Sequence, residues 1–315
     1  MLLQFVYAAF IAAGPADDVQ GKQGVDFDTF SVSRLTCVVG NNLANNPHRQ
    51  RYNGLFSMTS PDEPESPFVP AYAGVNLEHY FDARPRSDDN NIFFEPRNCP
   101  ITFKKLSATS AELHQAATPF YKVESWTTFT LAEPYYVDVK YKCVPTENVF
   151  EGGYFGVFWA SYINGPLDKS MYFLGQGSTL EAPKWVQLCT ALHGRDSTVR
   201  QETDTTELPM PPASDTLYQS LSPLRFSVPF FYGRFKDMVL IYMWKPNPQL
   251  RLAHSPSGGG DNAAKDAQCP AWDFQLVVPN YETGKEYGWE MRLAYKPWKD
   301  RADVLNEVRA YLKNE

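Results

Sequence analysis

Acid–base chemistry needs a histidine or carboxylate held within reach of a partner, and this chain has only five histidines in 315 residues. One lies in NLEHYFD, residues 76–82, with Glu78 beside it and Asp82 three positions on. In an extended strand, side chains alternate between faces. That parity puts Val75, Leu77, His79 and Phe81 on one side and Asn76, Glu78, Tyr80 and Asp82 on the other. His79 is then expected as a hydrogen-bonded core histidine in an apolar row, turned away from Glu78 unless a bulge intervenes. The opposite row mixes amide, carboxylate and aromatic groups. Sugar sites use that mixture, with polar groups bonding hydroxyls and aromatic faces covering C–H patches. A solvated strand face has the same composition.

A second concentration ends WVQLCTALHGRDSTVR, residues 185–200, where His193, Arg195, Asp196 and Arg200 crowd together. Asp196 could orient His193 or pair with Arg195, preparing a proton donor at a strand end, where loops often carry function. A local ion pair on a surface turn is the plainer account. Trp159 and Tyr162 point to opposite faces of a doubly apolar strand, and core packing is expected for both, with a pocket-lining place for one of them as the alternative. Asp273, beside Trp272, and the same-face pair Glu290 and Arg292 complete the candidates, with Arg292 suited to clamping a carboxylate. His254 precedes SPSGGG, but no Walker sequence follows, so a turn is expected there. H-E-x-x-H, G-x-S-x-G and H-x-H are all missing from the sequence. No metal or cofactor is expected from its motifs.

The elements that would carry these residues read mainly as strands. Residues 135–144, YYVDVKYKCV, alternate Tyr135, Val137, Val139, Tyr141 and Cys143 with Asp138, Lys140 and Lys142. This is a half-exposed antiparallel strand. YFGVFWASYI (154–163) is apolar on both faces, as a covered central strand would be. Further strands are expected over 184–193, 234–244, 272–279 and 286–295. Residues 60–70, 201–215 and 255–266 read as surface loops. The aromatic content of 15%, with 25 prolines and 19 glycines as chain reversers, also favours β structure. One helix is expected over 300–314, with Val304, Leu305, Val308 and Leu312 at helical spacing and Asp300 and Asp303 at its start. The expected fold is an all-β, large antiparallel sandwich with a short C-terminal helix, occupying 17–315 as one domain.

The net charge of −7 and the absence of a basic run argue against a nucleic-acid partner. Residues 1–16 are uncharged and apolar from Leu2 to Ala13. They are too short to span a bilayer but suit a signal peptide cleaved before Asp17, although no basic residue precedes the run. Export to a secreted or periplasmic location is the corresponding expectation. Of five cysteines, none is spaced as C-x-x-C; export would allow one or two disulfides. Cys143 and Cys189 fall in strand-like runs as small buried hydrophobes.

Taken together, NLEHYFD, ESWTTFTLAEPYYVDVKYKCVP, GYFGVFWASYI and EYGWEMRLAYKPW resemble the galactose mutarotase-like β-supersandwich over residues 30–298. The resemblance implies two large stacked antiparallel sheets and a concave surface that receives sugar. It also implies a histidine acid and a carboxylate base on that surface, without assigning either to a residue of this chain. The functional expectation is a carbohydrate ligand, with acid–base chemistry on the sugar if the protein is catalytic. The acid would come from His193, His79 or His254, and the base from Glu78, Asp82, Asp273 or Glu290. Glu78, His193 and Asp196 lead as catalytic candidates. Asn76, Tyr80, Asp82, Trp159, Tyr162, Arg195, Asp273, Glu290 and Arg292 are candidates for binding. The competing expectations are a glycan-binding module without turnover and a structural envelope protein. They differ in one respect: binding alone needs aromatic platforms but no buried carboxyl with a displaced pKa.

Overall fold

A computed structural model of the chain describes residues 25–211, 216–258 and 268–313. The stretch proposed as a signal peptide lies outside them. Strands β1 (Phe27–Val32), β2 (Leu35–Gly40) and β3 (Gly54–Thr59) form a small antiparallel sheet. They are followed by β4 (Asn76–Phe81) and two single-turn helices, α1 (Asn90–Phe93) and α2 (Glu95–Asn98). Next come β5 (Thr102–Lys105), β6 (Ser110–Gln115), β7 (Val123–Ala132), β8 (Tyr136–Pro145) and β9 (Tyr154–Ala160). The chain continues through β10 (Met171–Leu174), β11 (Trp185–Leu188), β12 (Thr198–Gln201), β13 (Leu221–Phe226) and β14 (Phe230–Phe235). It closes with β15 (Met238–Trp244), β16 (Leu250–Ser255), β17 (Ala271–Pro279), β18 (Tyr287–Pro297) and helix α3 (Arg301–Lys313).

Nine strands in the order β11-β10-β14-β15-β18-β8-β7-β6-β5 make one large sheet, and six in the order β13-β12-β16-β17-β9-β4 make the other. Every pairing in them is antiparallel except β12 with β13. The two sheets meet through one aromatic core. Trp159 packs on Tyr141 at 4.9 Å and on Trp289 at 5.1 Å between ring centroids, and Phe274 reaches Trp289 and Trp244 at 5.1 and 4.9 Å. The all-β sandwich read from the sequence is thus present, with Val137, Val139, Tyr141 and Cys143 of β8 turned inward as their alternation required.

Two strand readings change in detail. The run at 234–244 is a hairpin, because Lys236 turns at φ 52° between β14 and β15. The run at 184–193 pairs only over Trp185–Leu188, leaving Cys189 and His193 exposed beyond the strand. None of the five cysteines forms a disulfide, and Cys37 and Cys143 are fully buried thiols.

Helix α3 docks on the outer face of the nine-stranded sheet. Asp300 caps it by accepting the Asp303 N–H at 2.8 Å. Val304, Leu305, Val308 and Tyr311 pack against Val239, Ile241, Met243 and Ala294. Leu312 packs half-buried at the edge of the same patch, as helical spacing required, and Tyr311 is buried beside it. Lys296 of β18, 6% exposed, donates to Asp303 at 3.1 Å and Glu307 at 2.5 Å. The hydroxyls of Tyr135 and Tyr136 also donate to Glu307, at 2.9 and 2.7 Å. Burial alone would raise the Glu307 pKa, but Lys296 and the two tyrosines outweigh it and hold it below the ordinary 4.5.

Glu307→Ala leaves the Lys296 ammonium without its nearest partner, so it is expected to cost about 3 kcal/mol in urea unfolding at neutral pH. Because the folded-state value is depressed, this stabilisation is complete above the ordinary glutamate value and declines as pH falls below it. The difference between wild type and variant should narrow in acid, and a pH-independent gap would show that the ion pair is not its source.

Candidate active site

The outer face of the six-stranded sheet carries a cleft of about 490 Å³. Its floor comes from β4, β9, β17 and the short extension after β9, where Tyr162 bridges to Ala271. One wall is α1 and α2, bringing Phe93, Phe94 and Arg97. Another is the turn at Arg49–Tyr52, and a third holds Leu217 and Tyr218.

Strand β4 supplies the chemistry because it is irregular. Its register with β9 slips between Leu77 and His79, a bulge that sets two residues opposite one and re-aims side chains. Leu77 and Tyr80 go into the inter-sheet core, while Glu78 and His79 both reach the cleft. The parity that would separate them therefore fails at this point. His79 Nε2 lies 3.4 Å from Glu78 Oε1, and both residues are 6% exposed. Strain precedes the bulge. Val75 is held at φ 49°, which a β-branched residue rarely adopts. Its carbonyl lies where a Cβ on Gly54 would come within 2.3 Å, so only glycine fits against it.

Glu78 is saturated with donors. Tyr162 Oη stands 2.9 and 2.8 Å from its two oxygens, Arg97 Nη1 donates at 3.2 Å and Asn76 Nδ2 at 3.3 Å. Burial pushes the Glu78 pKa up, but Arg97, His79 and Tyr162 overcome it and bring it to about 2. The group is a fixed anion. The Tyr162 hydroxyl is driven well above its usual value by burial and by that anion, so it remains a donor. The Nδ1 of His79 meets the Phe93 carbonyl at 2.6 Å. A carbonyl only accepts, so Nδ1 carries a proton and Nε2 is the nitrogen left for exchange. Rings of Phe93, Phe94, Phe158 and Tyr218 surround the imidazole, with centroids 4.4 to 5.7 Å away.

Asp273 of β17 occupies another part of the same cleft in the opposite state. It is 1% exposed, and its Oδ1 accepts the Ser161 N–H at 3.0 Å. Its Oδ2 has no hydrogen-bond partner among the described residues. Burial, reinforced by the negative Glu78, drives its pKa well above the carboxylate range. Asp273 is a neutral acid beside an ionised one. Pairs of carboxyls whose environments separate their pKa values are the usual basis of acid and base roles.

The other sequence candidates fall into distinct places. Asn76 is buried behind Glu78 and bonded to Asn53. Tyr80 bonds Ser125 in the core. Asp82 is tied to Arg84 at 2.6 Å and lies outside the cleft. Trp159 is core and Tyr162 faces the cleft, which resolves the pair that parity left open. His193 lines the cleft edge and its Nδ1 contacts Ser255 Oγ at 2.9 Å. Arg195 and Asp196 are exposed and do not line it. Arg200 bonds the Thr206 carbonyl instead. Glu290 and Arg292 pair with Lys140 and Asp138, both at 2.6 Å, on the outer face of the nine-stranded sheet. His254 is fully buried between Thr190 and the Lys169 carbonyl, and burial brings its pKa down to about 4. Sequence reasoning did not find Arg49, Arg51, Tyr52, Arg86, Phe93, Arg97 or Tyr218. The one available signal was NNIFFEPRNCP, where aromatics and an arginine interrupt a polar stretch.

No protein-family model matches the chain, and no curated protein matches it in sequence. Among solved structures it is similar in fold to a galactose mutarotase related enzyme from Lactobacillus acidophilus. That pair shares 12% identity over 87% of this chain and 98% of the other, with a TM-score of 0.49. A GalM/aldose epimerase homologue from C. elegans gives 9% identity, 87% and 99% coverage and a TM-score of 0.48. A mutant of the heparan sulfate lyase HepC from Pedobacter heparinus gives 11% identity and a TM-score of 0.41, covering 88% of this chain but 36% of that one. The likeness is one of architecture.

The protonation of Asp273 can be checked through stability. A carboxyl whose folded-state pKa is raised stabilises fully only below its unfolded value, and that contribution is lost as pH rises through the folded value. Asp273→Asn should therefore match wild type in denaturant at about pH 4 and become more stable than wild type at about pH 7.5. A variant less stable than wild type at the higher pH would show the carboxyl to be ionised.

Proposed function

We propose that the cleft binds a sugar and transfers protons on it. Asp273 is the donor, and His79, oriented by the Phe93 carbonyl, is the acceptor. The observation that carries this reading is the pairing of Asp273, buried and neutral with one oxygen unpartnered among the described residues, with the ionised Glu78 in one cleft. A module that only binds glycans has no use for a buried carboxyl of displaced pKa, which costs stability. Glu78 itself is too weak a base at about 2 to accept protons efficiently near neutrality. Its role is to stabilise the imidazolium that forms when His79 Nε2, 3.4 Å away, takes up a proton. Phe93, Phe158 and Tyr218 offer ring faces for the C–H side of a sugar, and the cleft volume suits a small polar ligand.

The test is a panel of aldoses, uronates and oligosaccharides, followed by nuclear magnetic resonance for anomer exchange and by ultraviolet absorbance for unsaturated products. Asp273→Asn and His79→Gln should each lower turnover by roughly 10²–10⁴-fold. Binding should survive in Asp273→Asn. Binding with no turnover by wild type would return the protein to the glycan-binding class, and no binding of any sugar would remove the carbohydrate reading.

A further inference from the structure

The charge of the cleft opposes that of the protein. The chain carries −7 overall, yet the described residues lining the cleft include four arginines, Arg49, Arg51, Arg86 and Arg97, against one ionised carboxylate, Glu78. Arg97 is already committed to that carboxylate and lies over the Tyr52 ring at 3.9 Å. Arg86 lies over Phe93 at 4.4 Å. Arg49 and Arg51 are different. Both are exposed at the cleft, and among the described residues neither is in an ion pair. The Arg49 contacts are a long 3.4 Å hydrogen bond to the Tyr72 hydroxyl and a ring contact at 5.7 Å.

Arg51 is also held at a backbone cost. Its φ of 83° lies in the left-handed region that side-chain-bearing residues avoid. The conformation is fixed from both sides, by its N–H donating to the Asn42 carbonyl at 2.8 Å and by its own carbonyl accepting Arg97 Nε at 3.2 Å. The turn that supports Arg97 therefore also sets Arg51 at the cleft. Such strain persists where surrounding structure fixes it, and it concentrates at ligand-binding positions.

We infer that Arg49 and Arg51 form a subsite for an anionic substituent, so that the sugar of the reading above, on which this inference rests, bears a carboxylate or a sulfate ester. Guanidinium groups present planar forks of N–H donors that match both oxyanions. An anion seated there leaves the donor intact, because added negative potential favours the protonated form of Asp273. It also accounts for a positive cleft on an acidic protein, where the local field would draw a charged ligand from solution.

Titration calorimetry on the full chain tests this with matched pairs. These are glucuronate against glucose, galacturonate against galactose, and a heparin tetrasaccharide against its desulfated, carboxyl-reduced form, with inorganic sulfate alone as a further probe. The charged member should bind at least tenfold more tightly in one or more pairs. That preference should shrink with added salt and disappear in the Arg49→Ala/Arg51→Ala double variant, and the pair that responds separates carboxylate from sulfate. Equal binding within every pair, or a preference unchanged in the double variant, overturns the subsite and leaves the sugar reading standing. Sulfate binding without any sugar binding removes the sugar reading and keeps an anion site. No binding of any probe overturns both.

Discussion

A carboxylate taken out of water costs several kcal/mol unless charge and hydrogen bonds are returned to it, and Glu78 is buried with both. Its partners come from three parts of the chain: Asn76 and His79 on its own strand, Tyr162 beyond β9, and Arg97 on α2. Satisfying this one group thus determines where the α1–α2 segment sits on the sheet. The consequence extends outward, since Arg97 stacks on Tyr52 and Phe94 and binds the Arg51 carbonyl. Two walls of the cleft are positioned from a single buried charge. The aromatic residues around His79 then exclude water from the same region.

The location of the cleft follows from how the sandwich sorts polarity. Trp159, Phe274 and Trp289 seal the space between the sheets, so polar side chains of β9 and β17 must project from the opposite face. On the nine-stranded sheet the outward polar residues neutralise one another across strands, as Lys140 does with Glu290 and Asp138 with Arg292. The first pair is open to solvent and contributes little, and the second is a half-buried bidentate pair. On the six-stranded sheet, loops and short helices cover the outer face, and the carboxyls beneath them are desolvated. The same residue types therefore act as solvated surface in one place and as reactive groups in the other.

What could be read from sequence follows this division. Strands β8 and β18 were legible because one face is wet and the other dry, which imposes a period of two. Helix α3 was legible through its stripe and its Asp300 cap, with Tyr311 as an addition to the stripe. The cleft was only partly legible. Glu78, Tyr162, Asp273 and His193 were among the candidates, but the bulge at β4 reversed the relation between Glu78 and His79. One extra residue moves every later side chain to the other face, and no residue type announces it. Arg51, Tyr52, Arg97 and Tyr218 come from irregular segments, where no period relates neighbours in sequence to neighbours in space. The cluster at His193–Arg200 showed the converse: density in sequence that the fold disperses.

The two carboxyls of the cleft differ in state because positive charge is distributed unevenly around them. Glu78 has a guanidinium at 3.2 Å, whereas Asp273 receives one backbone N–H and the field of Glu78. A cation near Asp273 would stabilise its ionised form and end its use as an acid. The remaining arginines are instead at the rim, Arg49 and Arg51 on the turn before Tyr52. This arrangement separates holding from transfer: the long-range attraction of the cleft comes from its edge, and the proton is kept in a dry part of its floor. Moving one arginine from the edge to the floor would preserve the net charge of the cleft and remove its acid, so the placement of the cations, more than their number, gives the site its chemistry.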